Sequence, residues 1–266
     1  VTETVTAITL TRHRPDLVQR AIRSVQAQKT AHVVHHVVLI DDCPATRDAL
    51  SGRYPGTEVI YLPREPHEVS GPSRSSRLRN YGVRRSADTW IAMLDDDNEW
   101  TPDHLDSLVD CVRSAGVRAA YSHVSLLTQD GQPYLEQRWP WARDPDEAAE
   151  LYREKVAKGI ISPGSNVTGN PPGVYDEPAD TSSWLLAREL LLEVPYDERF
   201  TADDAENLLG EDDKLFLALL ARGEPMACTG RPTLRYYLGG YSNSPTGRTD
   251  ATFSWASVPD GAAPTN

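Results

Sequence analysis

The chain has 266 residues, 39% of them hydrophobic and 25% charged, with a formal net charge of −12. This length and balance suit one large α/β domain, or two small intimate ones, around a real core, and they exclude a chain disordered throughout. The acidic balance argues against nucleic acid as the main partner, and no apolar run approaches the roughly 20 residues that span a bilayer.

The opening residues carry no basic-then-apolar signal pattern, so the expected location is cytoplasmic. Cys43, Cys111 and Cys228 are far apart and odd in number, which fits neither a disulfide framework nor a CxxC zinc site. Val5 to Thr11 is rich in β-branched residues and reads as a strand. A helix follows, with Pro15 at its first position, Asp16 at the positive end of its dipole, and Leu17, Val18, Ala21, Ile22 and Val25 as its apolar stripe. The run His35 to Ile40 then ends in Asp41-Asp42, and after a short polar helix comes the strand Glu58 to Leu62.

Gly71 to Arg85 is the most basic stretch of an acidic chain. As a helix it brings Arg74 and Arg77 onto one face near its N-terminus, where guanidinium groups and free N–H groups both suit an anion. Trp90 to Leu94 is a buried-strand pattern that runs into Asp95-Asp96-Asp97. Adjacent carboxylates at a strand end repel one another, and a divalent cation relieves that repulsion. Oxygen-only ligands suit Mg²⁺ or Mn²⁺.

Further on, Pro102 to Ser114 reads as a helix, Val117 to Leu127 as a strand and Asp144 to Lys158 as an amphipathic helix. Gly159 to Thr181 is rich in Gly, Pro, Ser and Asn, the composition of a functional loop or of a plain surface excursion. Trp184 to Ala187 suits a short strand. Leu215, Phe216, Leu219 and Leu220 mark a buried helix face that Gly223 stops, so Glu211, Asp212 and Asp213 fall in its first turn. Acids there also complement the helix dipole. The segment from Arg231 carries Tyr236, Tyr237 and Tyr241 among glycines, and residues 246–266 read as a weakly ordered tail.

Strands alternating with helical patterns imply a mostly parallel sheet, with Asp41 and Asp95 on the same edge. Four motifs in order then carry a resemblance: Leu39-Ile40-Asp41-Asp42, Arg79-Asn80-Tyr81-Gly82, Asp95-Asp96-Asp97, and Glu211-Asp212-Asp213-Lys214-Leu215. From Val5 to about Tyr241 the chain resembles the inverting, metal-dependent family 2 glycosyltransferases of GT-A fold. The resemblance implies a Rossmann-like, mostly parallel central sheet flanked by helices, with residues 1–100 as a nucleotide-sugar-binding half and 101–245 as an acceptor-binding and catalytic half.

The resemblance also implies roles. Thr9 and Thr11 lie near the nucleotide, Asp41 in preference to Asp42 accepts from the base N–H, and Arg74 approaches base or phosphates, with Arg77 and Arg79 as substitutes. Asp95 or Asp96 faces the ribose, and Asp97, with Asp95 beside it, ligates Mg²⁺ or Mn²⁺. Asp212 is the general base, Asp213 its fallback and Glu211 their neighbour. The donor is a nucleoside diphosphate sugar, uridine by default; a small soluble acceptor is expected instead from the lack of a membrane-spanning run.

One departure is visible: Tyr236 to Tyr241 holds no His to serve as a further metal ligand, so metal binding without nucleotide should be weak. Trp139, Trp141 and Trp184 are candidates for an apolar acceptor wall, though such residues also serve as core. The alternatives are an inactive nucleotide- or carbohydrate-binding module of the same fold, and a sugar nucleotidyltransferase. The latter expects a Gly-rich phosphate loop after the first strand, which Thr9 to Pro15 is not.

Overall fold

The computed structural model describes residues 2–65, 71–142, 144–207, 209–240 and 243. The tail at 246–266 lies outside them. In chain order the first half forms β1 (Thr4–Thr11), α1 (Pro15–Gln26), β2 (Val33–Asp41), α2 (Pro44–Leu50), β3 (Thr57–Leu62), α3 (Pro72–Arg85), β4 (Trp90–Asp95) and β5 (Glu99–Trp100). The second half adds α4 (His104–Ala115), β6 (Ala119–Leu127), α5 (Pro145–Ala157), β7 (Val167–Thr168), a 3₁₀ turn at Thr181–Ser183, β8 (Trp184–Ala187), α6 (Arg188–Glu193), α7 (Ala202–Glu206), α8 (Glu211–Arg222) and β9 (Met226–Tyr237).

Among the described residues the strands join one sheet in the order β3-β2-β1-β4-β8-β6-β9-β5, with β7 paired to β6. The strands β3, β2, β1 and β4 are mutually parallel, as are β6 and β9, while β8 runs antiparallel between β4 and β6. Period-two alternation divides the central strands between two apolar layers. Ile8, Ile91 and Met93 face one layer with Leu78 and Val83 of α3, and Val5, Ala7, Ala92 and Leu94 face the other with Leu105, Leu108 and Val112 of α4.

The helix ends follow local rules. Pro15, Pro44, Pro72 and Pro145 open their helices, Asp144 accepts from the N–H groups of Asp146 and Glu147 at 2.9 and 3.1 Å, and Gly116 and Gly223 close α4 and α8 with φ of 65° and 68°. Within α3, Gly82 lets the helix lie on β1, since a Cβ there would stand 2.9 Å from Ile8 Cδ1.

Strand β9 occupies a region where no element is expected from the sequence. It runs beside β6 with a register shift between Tyr121 and Val124, opposite its own Pro232. Pro lacks an N–H and sits in sheets at bulges, so Gly230 and Pro232 mark an irregularity within a strand rather than the absence of one. Trp184 is also corrected. It is 2% exposed, packs on Tyr121 and Phe216, and donates its indole N–H to the Ala179 carbonyl at 3.0 Å, which makes it core rather than acceptor wall.

Two buried histidines couple the fold to pH. His36 lies against the Thr9 hydroxyl at 3.0 Å; His104 shares a 2.8 Å hydrogen bond with Thr233 and stacks on Trp100. Burial pushes both down to about 3. An unfolded His binds its proton near 6.5, so each ring contributes stability above that pH that is lost as pH falls toward 3. His104→Phe keeps the stacking and removes the proton site. The melting temperature of this variant relative to wild type should therefore rise as pH is lowered from 7.5 to 5 in paired scans; a constant difference would show that His104 does not titrate on unfolding.

Candidate active site

The ends of β1, β2 and β4 and the start of α8 open on one cavity of about 510 Å³, lined among others by Thr11, Asp41, Asp95, Asp96, Asp97, Glu211, Asp212 and Asp213. Open α/β sheets present such crevices at the carboxyl ends of their strands. The acidic groups, far apart in sequence, are thus brought together.

The three acids after β4 point in different directions. Asp95 accepts from Arg79 Nη2 at 2.7 Å. Asp96 turns inward, accepting the Thr11 hydroxyl at 2.7 Å and Arg14 Nη1 at 3.0 Å, and burial pushes it up to about 7. Asp97 accepts from the same Arg14 nitrogen at 2.8 Å, its backbone carbonyl takes Arg20 Nη2 at 2.5 Å, and burial raises its pKa as well. One guanidinium therefore bridges two neighbouring carboxylates, where a cation is most favourable.

Asp41 accepts from Arg74 Nε at 3.0 Å and Arg64 Nη2 at 2.5 Å, and Arg74 also reaches the carbonyls of Leu62 and Pro63. Arg74 is thus 8% exposed and lies behind Asp41 instead of lining the cavity. Asp42 is not at the cavity. Its backbone is left-handed, at φ 44°, turning its side chain away to accept the Tyr61 hydroxyl at 2.7 Å. Thr9 is also set back. It sits two residues before the strand end, between Val38 and Leu94 in register, and its hydroxyl meets His36. Arg77 projects outward from α3, half exposed and 3.7 Å from Glu198, and does not line the cavity. Arg79 does line it, 6% exposed, joining Asp95 to Glu211. Burial disfavours its charge, but Glu211 and Asp95 more than compensate and raise its pKa.

At the start of α8, Asp213 accepts from the Gly210 N–H at 2.7 Å, which is the job of a helix cap. Among the described residues Asp212 takes only the Asp213 N–H, at 3.1 Å. Burial raises Asp212 well above the usual carboxylate range, with Asp213, Glu211 and Asp180 adding to the effect and Arg79 opposing it.

Several lining residues carry no clear local signal in the sequence. Asp180 caps the 3₁₀ turn through the Ser182 N–H at 2.8 Å and is pushed up to about 7 by burial and by Asp95. Arg12 lines the cavity with Nε and Nη1 buried and, among the described residues, without hydrogen-bond partners. Arg14 is the residue before Pro15, and only its contacts mark it out. Asp-Thr-Ser-Ser at 180–183 does read as a cap, but a cap does not announce a cavity.

Among the described residues no group of three His, Cys, Asp or Glu side chains is spaced to hold a metal by itself. Asp97 and Asp95 supply two hard oxygen donors, and a Cβ at Gly240 would stand 2.8 Å from Asp97 Oδ2, so the chain there closes on the carboxylate without adding a ligand. Carboxylate oxygens are the donors a divalent ion takes alongside those of a diphosphate, and here Asp97 and Asp95 are paired with Arg14 and Arg79.

The model of glycosyl transferase family 2 matches residues 6–163, more than half of the chain. Succinoglycan biosynthesis protein ExoO of Rhizobium meliloti is 30% identical over 129 residues, 48% of this chain and 35% of that one. The putative teichuronic acid biosynthesis glycosyltransferase TuaG of Bacillus subtilis is 28% identical over 134 residues, 48% of this chain and 50% of that one. The chain thus spans half or less of the relatives it matches. In fold it is similar to the crystal structure of S. aureus TarS 1-349, with a TM-score of 0.58 at 10% identity over 88% of this chain and 60% of that one, and to the UDP complex of the same TarS segment at the same TM-score and identity, over 90% of this chain and 62% of that one. The α/β architecture is of GT-A type, and the chain belongs to glycosyl transferase family 2.

Proposed function

We propose that the chain transfers a sugar from a nucleoside diphosphate donor, with uridine as the base, to a small acceptor. One observation carries this reading: acids from separate strand and helix ends, Asp41, Asp95 to Asp97 and Asp212, share one cavity with Arg12 and Arg79. The donor takes the β2–β1–β4 side. Asp41, held by Arg64 and Arg74, keeps lone pairs for the base N–H, since an ionised carboxylate accepts about four hydrogen bonds. Arg74 acts through Asp41, Asp95 faces the ribose, and the unpartnered nitrogens of Arg12 suit the diphosphate.

Asp97, with Asp95, would hold Mg²⁺ or Mn²⁺, which neutralises charge as the diphosphate leaves. Asp212 takes the proton of the acceptor hydroxyl. The acceptor oxygen bonds to the anomeric carbon, the bond from that carbon to the diphosphate oxygen breaks on the opposite side, and configuration inverts. A carboxylate raised by burial is a stronger base than a free aspartate.

Three measurements test the reading. In a thermal-shift panel UDP with Mn²⁺ should stabilise the protein, Mn²⁺ alone should not, and other nucleoside diphosphates should do less; no shift with any nucleotide would end the proposal. Asp212→Asn should lower kcat by about 10²–10⁴-fold while keeping the UDP shift, and retained turnover would remove Asp212 from this role. Because the base works only when deprotonated, activity should fall as pH drops through the raised Asp212 value. The acid limb of kcat/KM should then lie well above about 4, the ordinary aspartate value. Asp180→Asn should move that limb to lower pH, since Asp180, with Asp213 and Glu211, is one of the negative groups that raise Asp212 against the pull of Arg79.

A further inference from the structure

The cavity extends past the acids to the other side of the sheet, where Val124 of β6, Tyr236 of β9, Trp139 and Trp141 line it. Trp139 and Trp141 meet at 4.7 Å between ring centroids, and Trp141 meets Tyr236 at 5.4 Å, both tilted. Tyr236 is 8% exposed, while the two tryptophans are only half-buried. Lys155 packs on this corner, with its ammonium 4.2 Å above the Trp139 ring and ion-paired to Glu177. In the sheet order β6 and β9 lie beyond β4, on the side away from Asp41. The aromatic corner therefore stands on the far side of the Asp95–Asp97 cluster from the half assigned to the nucleotide.

Charge on this path is one-sided. Asp180, Asp212 and Asp213 accept from backbone N–H groups, and among the described residues none of the three has a cationic side chain at ion-pair distance. Of the guanidinium groups lining the cavity, Arg79 is paired with Asp95 and Glu211 and Arg14 with Asp96 and Asp97, while Arg12 follows β1 on the side given to the diphosphate. A carboxylate or phosphate on the acceptor would have to lie among these acids in a low-dielectric crevice. A flat apolar ring face, in contrast, finds two half-buried indoles to cover.

We infer that the acceptor presents an apolar ring face to Trp141 and Trp139 and carries no negative charge, as an uncharged or amino sugar does. This rests on the transferase reading of the same cavity. Trp141 is then an acceptor-positioning residue, and the charge preference is set by Asp180 and Asp213 beside Asp212.

The test uses three probes that share one ring and differ in charge: 4-nitrophenyl β-glucoside, β-glucosaminide and β-glucuronide, each titrated by saturation-transfer NMR into the protein held with UDP and Mn²⁺. The glucoside and glucosaminide should bind with saturation on their ring protons, and the glucuronide at least about tenfold more weakly. Trp141→Ala should abolish binding of the first two and Trp141→Phe should restore part of it, with the UDP thermal shift reporting that each variant is intact. Equal binding of the glucuronide, no binding by any probe, or full binding by Trp141→Ala would overturn the inference. If UDP gave no shift while the sugars bound as described, the transferase reading would fail and the aromatic sugar site would stand.

Discussion

A single buried guanidinium holds the two halves of the site in register. Arg79 of α3 reaches Asp95 at the end of β4 with one nitrogen and Glu211 at the start of α8 with another, so the strand bearing the acidic triplet and the helix bearing Asp212 meet across it. A charge this deep is tolerated only when paired, and removing one partner of such a pair typically costs about 3–5 kcal/mol. The neighbours of Arg79 explain the rest of its helix. Asn80 clamps the backbone of Tyr196 through both amide atoms at 2.9 and 3.0 Å, and Gly82 lets α3 settle on Ile8. The Arg-Asn-x-Gly segment is thus three packing solutions in consecutive order: a charge bridge, a backbone clamp and a close approach.

The same logic governs Asp96 and Asp41. Each is about 5% exposed and each lies between cationic or hydroxyl donors, Asp96 with Thr11 and Arg14, Asp41 with Arg64 and Arg74. Asp180 and Asp212 have no cationic side chain at ion-pair distance among the described residues, and burial raises both, as it raises Asp96. Carboxylates assembled this closely oppose folding unless protons or cations offset them. The apolar layers on the two faces of the sheet supply the stability that makes this arrangement affordable.

Across the sheet the cavity changes character. The β2–β1–β4 side is built from charged side chains at strand ends, and the β6–β9 side from aromatic rings. Strand β8, antiparallel between β4 and β6, marks the change, and the 3₁₀ turn before it delivers Asp180 to the middle. A long irregular segment before that turn supplies Thr168, Gly169, Asn170 and Glu177 to the cavity wall.

Strands β1 to β4, β6 and β8, the longer helices and the order of the acidic motifs were legible in the sequence because their causes are local: apolar alternation, proline at the first helical position, glycine after the last. The parallel sheet followed from the alternation of those elements, and with it the expectation that Asp41 and Asp95 share one edge. Which of two adjacent acids faces the cavity was decided by a single backbone angle, the positive φ of Asp42. Whether an arginine of α3 looks in or out depended on what packs on each side of that helix, so Arg74 backs Asp41, Arg79 enters the cavity and Arg77 meets solvent. The contributions of Arg12, Arg14, Asp180 and strand β9 come from contacts over long sequence separations, which residue type and spacing do not encode. The sequence alone determined the elements and the chemistry available at their ends; tertiary structure decided which groups neutralise one another and which remain open, because pairing of charges depends on distances that only the packed sheet sets.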